Sequence, residues 1–276
     1  MGMNPFDWTG GPFLMLYGGL LVGAIVAGFA IPAWLRPEGN SRRIDDPEEL
    51  AMLTGGKRRH AETVGASLLA RGGLEMSDRR RMAPGRSQIA KTSAERAVSN
   101  LVAPISFADI GKAVALDAEA IEQRLIDRGQ MFDSGTAWQM RIFQTLPYVA
   151  LIVFGYMKLE IGLERGKPVG FLTVLLVLTA VLALWRFFAV DRRTKGGIEA
   201  VKHAQGKSDR LRRAPTGDET GQAVALYGTA VLAGTPLAAF HTMRSSNSGD
   251  GGGCSSDGGG DGGGGCGGGG CGGCGG

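Results

Sequence analysis

The four cysteines of this 276-residue chain are Cys254, Cys266, Cys271 and Cys274, and all of them lie in the glycine-rich C-terminal segment. The spacing Cys271-Gly-Gly-Cys274 lets two thiolates bind one tetrahedral ion. Thiolates are soft ligands, which makes zinc or copper(I) the candidate ions. The glycine and serine residues around them offer no apolar side chains for a core. The sequence therefore predicts a disordered tail over 241–276 with a metal site at its four cysteines.

Two other interpretations of the tail stay open. Cysteines flanked by glycine are sterically open to a modifying enzyme, and in this respect the tail resembles the precursors of thiazole-bearing microcins, in which Gly–Cys pairs are cyclised. The third interpretation is a low-complexity tail without fixed chemistry. Mass spectrometry of the C-terminal peptide, with and without added zinc, distinguishes the three.

The rest of the sequence offers no catalytic constellation. His60, His203 and His241 have no acidic or thiol neighbours at the spacing of a metal site. Neither a nucleophile elbow nor a phosphate-binding loop occurs. His60 is predicted to lie on the surface of its helix. We expect a non-enzymatic protein with no catalytic or cofactor-binding residues and no small-molecule substrate.

Three apolar stretches are predicted to hold this chain in a membrane, as transmembrane helices over 13–35, 143–163 and 168–190. The first has no charged residue and is long enough to cross a hydrocarbon core of about 30 Å. Residues 1–12 contain no Lys or Arg, so a cleaved signal peptide is disfavoured. We predict that they form a short extracytoplasmic N-terminus before a retained anchor.

The charge distribution predicts the orientation. Residues 36–142 carry Lys and Arg directly after the first span, and the segment 191–222 is strongly basic. Positively charged flanks are retained in the cytoplasm. The two flanks share one side only if 143–163 and 168–190 cross as a hairpin, through an extracytoplasmic turn at 164–167. We therefore expect a multi-pass protein of the bacterial inner (cytoplasmic) membrane with its N-terminus outside.

A fourth uncharged segment, 223–240, is only weakly hydrophobic because alanine and glycine contribute little transfer free energy. It also contains Pro236. The sequence leaves open whether this segment spans the membrane or forms a surface-lying or disordered linker. The side of the membrane that holds the tail depends on that choice.

The cytoplasmic segment 36–142 is predicted to be helical and to contain a degenerate repeat, at about 48–75 and 105–132. Each copy has a helix, the pattern Leu-x-x-Arg-Gly and a short strand candidate. The identities are Ala61, Glu62, Leu68, Arg71 and Gly72 with Ala118, Glu119, Leu125, Arg128 and Gly129. Self-similarity of this kind is the signature of a duplication. A helical unit ending in a strand resembles a winged helix, which predicts a tandem winged-helix-like domain.

A winged helix raises the question of nucleic-acid binding. The basic runs Lys57-Arg58-Arg59 and Arg79-Arg80-Arg81 have the charge to contact phosphate. Residues 36–142 as a whole are close to neutral, however, whereas nucleic-acid-binding surfaces are visibly basic. Nucleic acid is therefore a disfavoured partner, and these runs are expected to face solvent or anionic lipid.

Several motifs together resemble a family of bacterial multi-span membrane proteins with a Gly/Cys-rich C-terminal tail. They are Glu49-Leu50-Ala51-Met52-Leu53-Thr54-Gly55-Gly56, Leu69-Ala70-Arg71-Gly72, the hairpin sequence from Gly162 to Leu172, and Arg192-Arg193-Thr194-Lys195-Gly196-Gly197. The resemblance covers most of the chain. It implies the same membrane architecture and assigns no activity.

The sequence therefore predicts a mainly α protein: three transmembrane helices, a small cytoplasmic helical domain and a disordered tail. The leading functional hypothesis is a non-enzymatic, membrane-anchored interaction or scaffold protein with membrane lipid and a cytoplasmic protein as partners. The alternatives are a metal-binding or modified cysteine-tail protein and, less favoured, a membrane-tethered nucleic-acid-binding regulator.

Overall fold

The computed structural model describes residues 10–78, 80–86, 90–164, 170–213 and 215–246. Ten helices and one hairpin lie in this part of the chain. The helices are α1 (Gly10–Leu35), α2 (Pro47–Ala70), α3 (Ser93–Ser99), α4 (Phe107–Ala113), α5 (Ala115–Asp127), α6 (Ser134–Glu164), α7 (Gly170–Phe188), α8 (Lys195–Lys207), α9 (Thr220–Tyr227) and α10 (Ala238–Ser246). The hairpin consists of β1 (Leu74–Asp78) and β2 (Arg81–Pro84).

Helices α1, α6 and α7 are long and apolar enough to cross a membrane. The prediction of a mainly helical chain with three membrane-length helices is thus confirmed. The N-terminal residues 1–9 and the predicted turn residues 165–167 lie outside the described residues.

Helix α6 begins well before the predicted span at 143. Its length of 31 residues corresponds to about 46 Å, more than the hydrocarbon core of a bilayer. Asp133 accepts hydrogen bonds from the amides of Gly135 and Thr136 and so stabilises the start of the helix. Ala137 and Met140 pack with Phe132 in a small cluster. The first turns of α6 therefore extend beyond the span.

In the three membrane-length helices, the rings of two tyrosines pack against glycines of neighbouring helices. A Cβ atom at Gly28 of α1 would lie 2.8 Å from the ring of Tyr148, and one at Gly155 of α6 would lie 2.7 Å from the ring of Tyr17. The Tyr17 hydroxyl also forms a hydrogen bond of 3.2 Å with Thr179 of α7. Small residues allow helices to approach closely inside a bilayer, where hydrophobic burial does not drive association.

Helix α2 forms the centre of the helical domain and is kinked at two consecutive glycines. Gly55 and Gly56 are non-helical, and Gly56 has a φ of 65° that favours glycine. Asp46 accepts a hydrogen bond from the amide of Glu48 at the start of the helix. The segment beyond the kink ends at Arg71 and continues into the β1–β2 hairpin, which Ile105 extends by one bridge to Met82.

The two copies of the predicted repeat end their helices in the same way. Gly72 and Gly129 have φ values of 73° and 71°. The amide after each glycine donates back to a leucine carbonyl, from Gly73 to Leu68 and from Gln130 to Leu125. These are glycine-terminated helix ends, in which the left-handed residue satisfies carbonyls of the last turn.

Residues 223–240 differ from both alternatives that the sequence left open. They form part of α9, a 3₁₀ turn and the start of α10, and they complete the core of the helical domain. Helix α9 lies along α2, and a Cβ at Gly221 would collide with Ser67. Alanine and valine supply enough apolar surface for a water-soluble core, although too little for a bilayer.

The predicted tail boundary at 241 is also wrong. Residues 241–246 belong to α10, whose Phe240 and Met243 are buried against α2 and α4. The Arg244 guanidinium donates to Glu62 Oε1 with Nε at 3.0 Å and Nη2 at 2.8 Å, and both side chains are buried. Because the two partners are far apart in sequence, no local sequence pattern predicts this ion pair. Residues 247–276 lie outside the described residues.

The helical domain therefore combines chain from both sides of the α6–α7 pair. Residues 47–132 precede the pair, and residues 195–246 follow it, yet both contribute to the same two hydrophobic clusters. Only an even number of crossings between them is compatible with this arrangement. The fold is compatible with an α6–α7 hairpin, and α10 is part of the helical domain.

Candidate functional site

Three chain segments meet where the helical domain joins the spans. They are residues 37–40 after α1, 129–132 before α6 and 191–196 after α7. The amides of Lys195 and Gly196 donate to the carbonyls of Pro37 and Glu38, at 3.0 and 2.7 Å. The Phe132 amide donates to the Arg192 carbonyl and the Thr194 amide to the Gln130 carbonyl. We call these three segments the junction.

The motif Arg192-Arg193-Thr194-Lys195-Gly196-Gly197 owes its composition to the junction. Thr194 Oγ1 accepts a hydrogen bond from the Gly197 amide at the start of α8 and donates to the Gly129 carbonyl. A Cβ at Gly196 would collide with the backbone of Asn40, and one at Gly197 with the carbonyl of Gln130. Both glycines are therefore required by the close approach of backbone to backbone.

Arg186, near the end of α7, is buried and points into the helix bundle rather than towards the lipid interface. Pro32 in α1 has no amide hydrogen, so the carbonyl of Gly28 lacks its helical donor. Arg186 Nε donates to this carbonyl at 2.9 Å, and its guanidinium lies 4.5 Å from the Phe29 ring centroid. The freed carbonyl thus provides an acceptor for a guanidinium inside the bundle.

Gln144 of α6 extends the same connection to the third helix. Its Nε2 donates to the main-chain carbonyl of Arg186 at 2.6 Å. This carbonyl lies in the last turn of α7, where helical donors run out. The cytoplasm-facing ends predicted for α1, α6 and α7 are thereby tied together by polar groups.

A cavity of about 560 Å³ lies between this end of the bundle and the helical domain. We call it the juxtamembrane pocket. Its membrane-proximal wall consists of Phe29, Pro32 and Ala33 of α1, and its opposite wall comes from α2, α8 and α9. Its volume falls within the range of small-molecule sites.

The juxtamembrane pocket is cationic. Five positive side chains line it, Arg36, Arg59, Arg186, Arg193 and Lys202, against the single acid Asp191. Arg193 contacts Asp191 through Nε at 2.9 Å, and Arg36 Nη1 lies 3.2 Å from the same carboxylate.

The electrostatics at Asp191 reflect this excess. Burial would raise the pKa of Asp191, but hydrogen bonds and charge from Arg193, together with the charge of Arg36, hold that pKa below its usual value. Arg59 shares the carboxylate of Glu62 with Arg58 and Arg244. Arg186 has no carboxylate partner among the described residues.

His60 is fully buried, so its predicted surface position is wrong. Its Nε2 lies 3.1 Å from Glu48 Oε2. Although burial would raise the pKa of Glu48, the hydrogen bonds from His60 and Thr92 lower it. His60 lies beneath the first turn of α2, where it cannot reach a solvent-borne substrate.

The basic run Lys57-Arg58-Arg59 is engaged within the fold. Lys57 Nζ lies 3.0 Å from Glu119, and the other two residues approach Glu62. In the other run, Arg80 lies in the turn of the hairpin, Arg81 begins β2, and Arg79 lies outside the described residues. Cys254, Cys266, Cys271 and Cys274 also lie outside them, so their predicted metal site stays a prediction.

Comparison of the chain with protein families, curated proteins and solved structures finds no match. The juxtamembrane pocket is the functional feature that sequence reasoning missed. One signal was available: Pro32 inside an apolar helix and Arg186 inside another are complementary, because one frees an acceptor and the other supplies a donor.

Proposed function

We propose that this protein is a non-enzymatic, membrane-anchored scaffold that holds its C-terminal tail at the cytoplasmic face of a bacterial inner membrane. The observation that carries the proposal is the burial of α10. Phe240 is inaccessible to solvent, and Arg244 pairs with the buried Glu62. The point at which the tail leaves the fold is thereby held against the domain.

The composition of the domain supports an interaction role. Its buried polar groups are used in packing: Glu95 pairs with Arg71, and Glu49 pairs with Arg128. Two large apolar side chains, Val102 and Leu116, are 87% and 80% exposed on the same domain. We propose these two side chains as contact points for a protein partner.

The orientation belongs to the same proposal. Basic residues flank the domain-side ends of α1 and α7, and such flanks are retained in the cytoplasm. With the domain inside, both the N-terminus and the loop between α6 and α7 face outwards.

Photo-cross-linking from the tail tests the scaffold proposal. The full-length chain is expressed with a photoreactive amino acid in place of Ser255, either alone or with Phe240→Ala, which loosens α10. Thr242→Ala, on the exposed face of the same helix, is the matched control. We expect a discrete protein adduct that persists with Thr242→Ala and is reduced with Phe240→Ala. The absence of an adduct, or an adduct whose yield is the same with Phe240→Ala as with Thr242→Ala, would contradict the proposal.

Metal binding or modification of the tail is the second candidate. The spacing Cys271-Gly-Gly-Cys274 favours it, because two thiolates at this distance can share one ion. Titration of the full-length protein with zinc, compared with a variant carrying serine at all four cysteine positions, measures this activity. Stoichiometric binding that the serine variant loses supports it, and equal binding by both proteins rejects it. Intact mass determination reveals heterocyclisation of the same residues.

A further inference from the structure

The juxtamembrane pocket has a charge and a position that the scaffold role does not require. Five cations and one acid line it, and Asp191 pairs with Arg36 and Arg193. Glu62, outside the lining, pairs with Arg59, so Lys202 and Arg186 are the lining cations without a carboxylate partner among the described residues. Enclosed like charges repel one another strongly because the local dielectric constant is low. A bound anion would relieve this repulsion.

The two walls of the pocket define the kind of anion. Phe29, Pro32 and Ala33 belong to the last turns of a membrane-length helix, and about half of the Phe29 surface is exposed. The opposite wall presents Arg59 and Lys202 from the helical domain. A ligand with an anionic head and an apolar body satisfies both walls at once, whereas a small hydrated anion satisfies only one.

Lys202 is the cation most available to such a ligand. It lies on the exposed side of α8, and no ion-pair partner for it occurs in the part of the chain that the structure describes. Arg36 and Arg193 each contact Asp191 and retain only a minor exposed fraction, 17% and 22% of their side chains. They would add longer-range attraction and donors at the edge of the site.

We propose that the juxtamembrane pocket binds the phosphate headgroup of an anionic phospholipid, with the acyl chains lying along the outer face of α1. Lys202 contacts the phosphate from the domain side, and Arg59, which also pairs with Glu62, adds positive charge to the same wall. Phe29 and Ala33 contact the glycerol and the first acyl carbons. Basic pockets at the cytoplasmic ends of membrane helices are suited to anionic headgroups, which are enriched in the adjacent leaflet.

The experiment uses the full-length protein, purified in detergent and stripped of lipid. Native mass spectrometry measures binding of phosphatidylglycerol, with phosphatidylcholine, which is zwitterionic with zero net charge, as the comparison. Inorganic phosphate and glycerol phosphate test for a soluble source of the same group. Lys202→Gln is compared with Lys207→Gln, which removes the same charge from the same helix outside the juxtamembrane pocket.

We expect a preference for phosphatidylglycerol that Lys202→Gln weakens about fivefold and Lys207→Gln leaves within about twofold. Ala33→Trp fills the membrane-proximal wall without changing charge, and Ala33 is exposed, so the fold tolerates the larger side chain. This variant should lose the lipid as well.

If both lysine variants weaken phosphatidylglycerol binding equally, the preference reflects the general surface charge of the protein, and the proposal is overturned. Inorganic phosphate binding with an affinity that Ala33→Trp leaves unchanged would assign the pocket to a soluble phosphate compound, which also overturns it. Neither result bears on the tail cross-linking, so failure here is distinguishable from failure of the scaffold proposal.

Discussion

Arg186 is expected to stabilise the helix bundle because it donates a hydrogen bond to the Gly28 carbonyl, which Pro32 leaves without a helical donor. The perturbation is Arg186→Met, which keeps the length of the side chain and removes its donors. The Gly28 carbonyl then has no partner from Pro32 or from Arg186. Leaving a buried carbonyl unsatisfied costs about 1–3 kcal/mol, and the Phe29 cation–π contact adds about 0.5–1 kcal/mol.

Two effects lower that sum. Removing a buried guanidinium relieves its desolvation, and hydrogen bonds between membrane helices contribute about 0.6 kcal/mol on average. We therefore expect Arg186→Met to lower the free energy of unfolding by about 2 kcal/mol. Equilibrium unfolding of the full-length protein in mixed micelles of mild detergent and dodecyl sulfate measures it, with tryptophan fluorescence as the signal.

The decisive comparison is the same substitution in a Pro32→Ala background. Alanine restores the amide that donates to the Gly28 carbonyl, so the carbonyl stays satisfied when the guanidinium is removed. The cost of Arg186→Met should then fall by about 1 kcal/mol or more. An equal cost in both backgrounds would refute the claim that Arg186 acts on the carbonyl that proline leaves free.

Three further outcomes are expected. Arg244→Met should lower the free energy of unfolding by about 3 kcal/mol, because Glu62 stays buried with two less well placed arginines, and limited proteolysis should then cut within α10. The pKa of Asp191 is lower in the folded protein than in the unfolded chain. Its stabilisation is therefore complete above the unfolded pKa and is lost as the pH falls through the folded one. The stability difference from Asp191→Asn, measured by denaturant titration at several pH values, should shrink in that acidic window, and a pH-independent difference would contradict this. Gly129→Ala should cost about 1–2 kcal/mol because its φ is 71°, whereas Gly111→Ala, in open space on a helix, should be neutral or stabilising by thermal unfolding.

Local properties of the chain predict its membrane helices well. The run from Phe13 to Leu35 is recognisable because hydrophobicity and length alone decide whether a helix can cross a bilayer. The glycines at 72 and 129 mark helix ends for an equally local reason, since few other residues adopt a positive φ. These features follow from sequence without knowledge of the fold.

Long-range packing explains what the sequence did not reveal. The segment 223–240 has the composition of a poor span or a linker, and its role depends on α2, from which it is far removed in sequence. Arg244 was assigned to a flexible tail because its partner Glu62 lies in another element. The sequence predicts a surface position for His60 because it does not reveal the angle of the kink at Gly55 and Gly56. That kink brings the first turn of α2 over the His60 side chain.

The candidate site likewise combines residues that the sequence identifies with an arrangement that depends on long-range packing. The basic residues that line the juxtamembrane pocket, such as Arg36 and Arg193, were identified from sequence as orientation signals. That they surround one cavity depends on the junction, in which three separate segments meet. Lys202 carries no motif and becomes notable only once α8 is placed beside α1.

The central claim is that the helical domain and the start of the tail lie on one side of the membrane and the α6–α7 loop on the other. It is tested most directly by thiol labelling in intact cells. The four tail cysteines are replaced by serine, and a single cysteine is introduced by Gly166→Cys or Ser245→Cys. A membrane-impermeant maleimide should label the cysteine at 166 in intact cells and the cysteine at 245 only after the inner membrane is permeabilised. Labelling of both in intact cells, or the reverse pattern, would contradict the account.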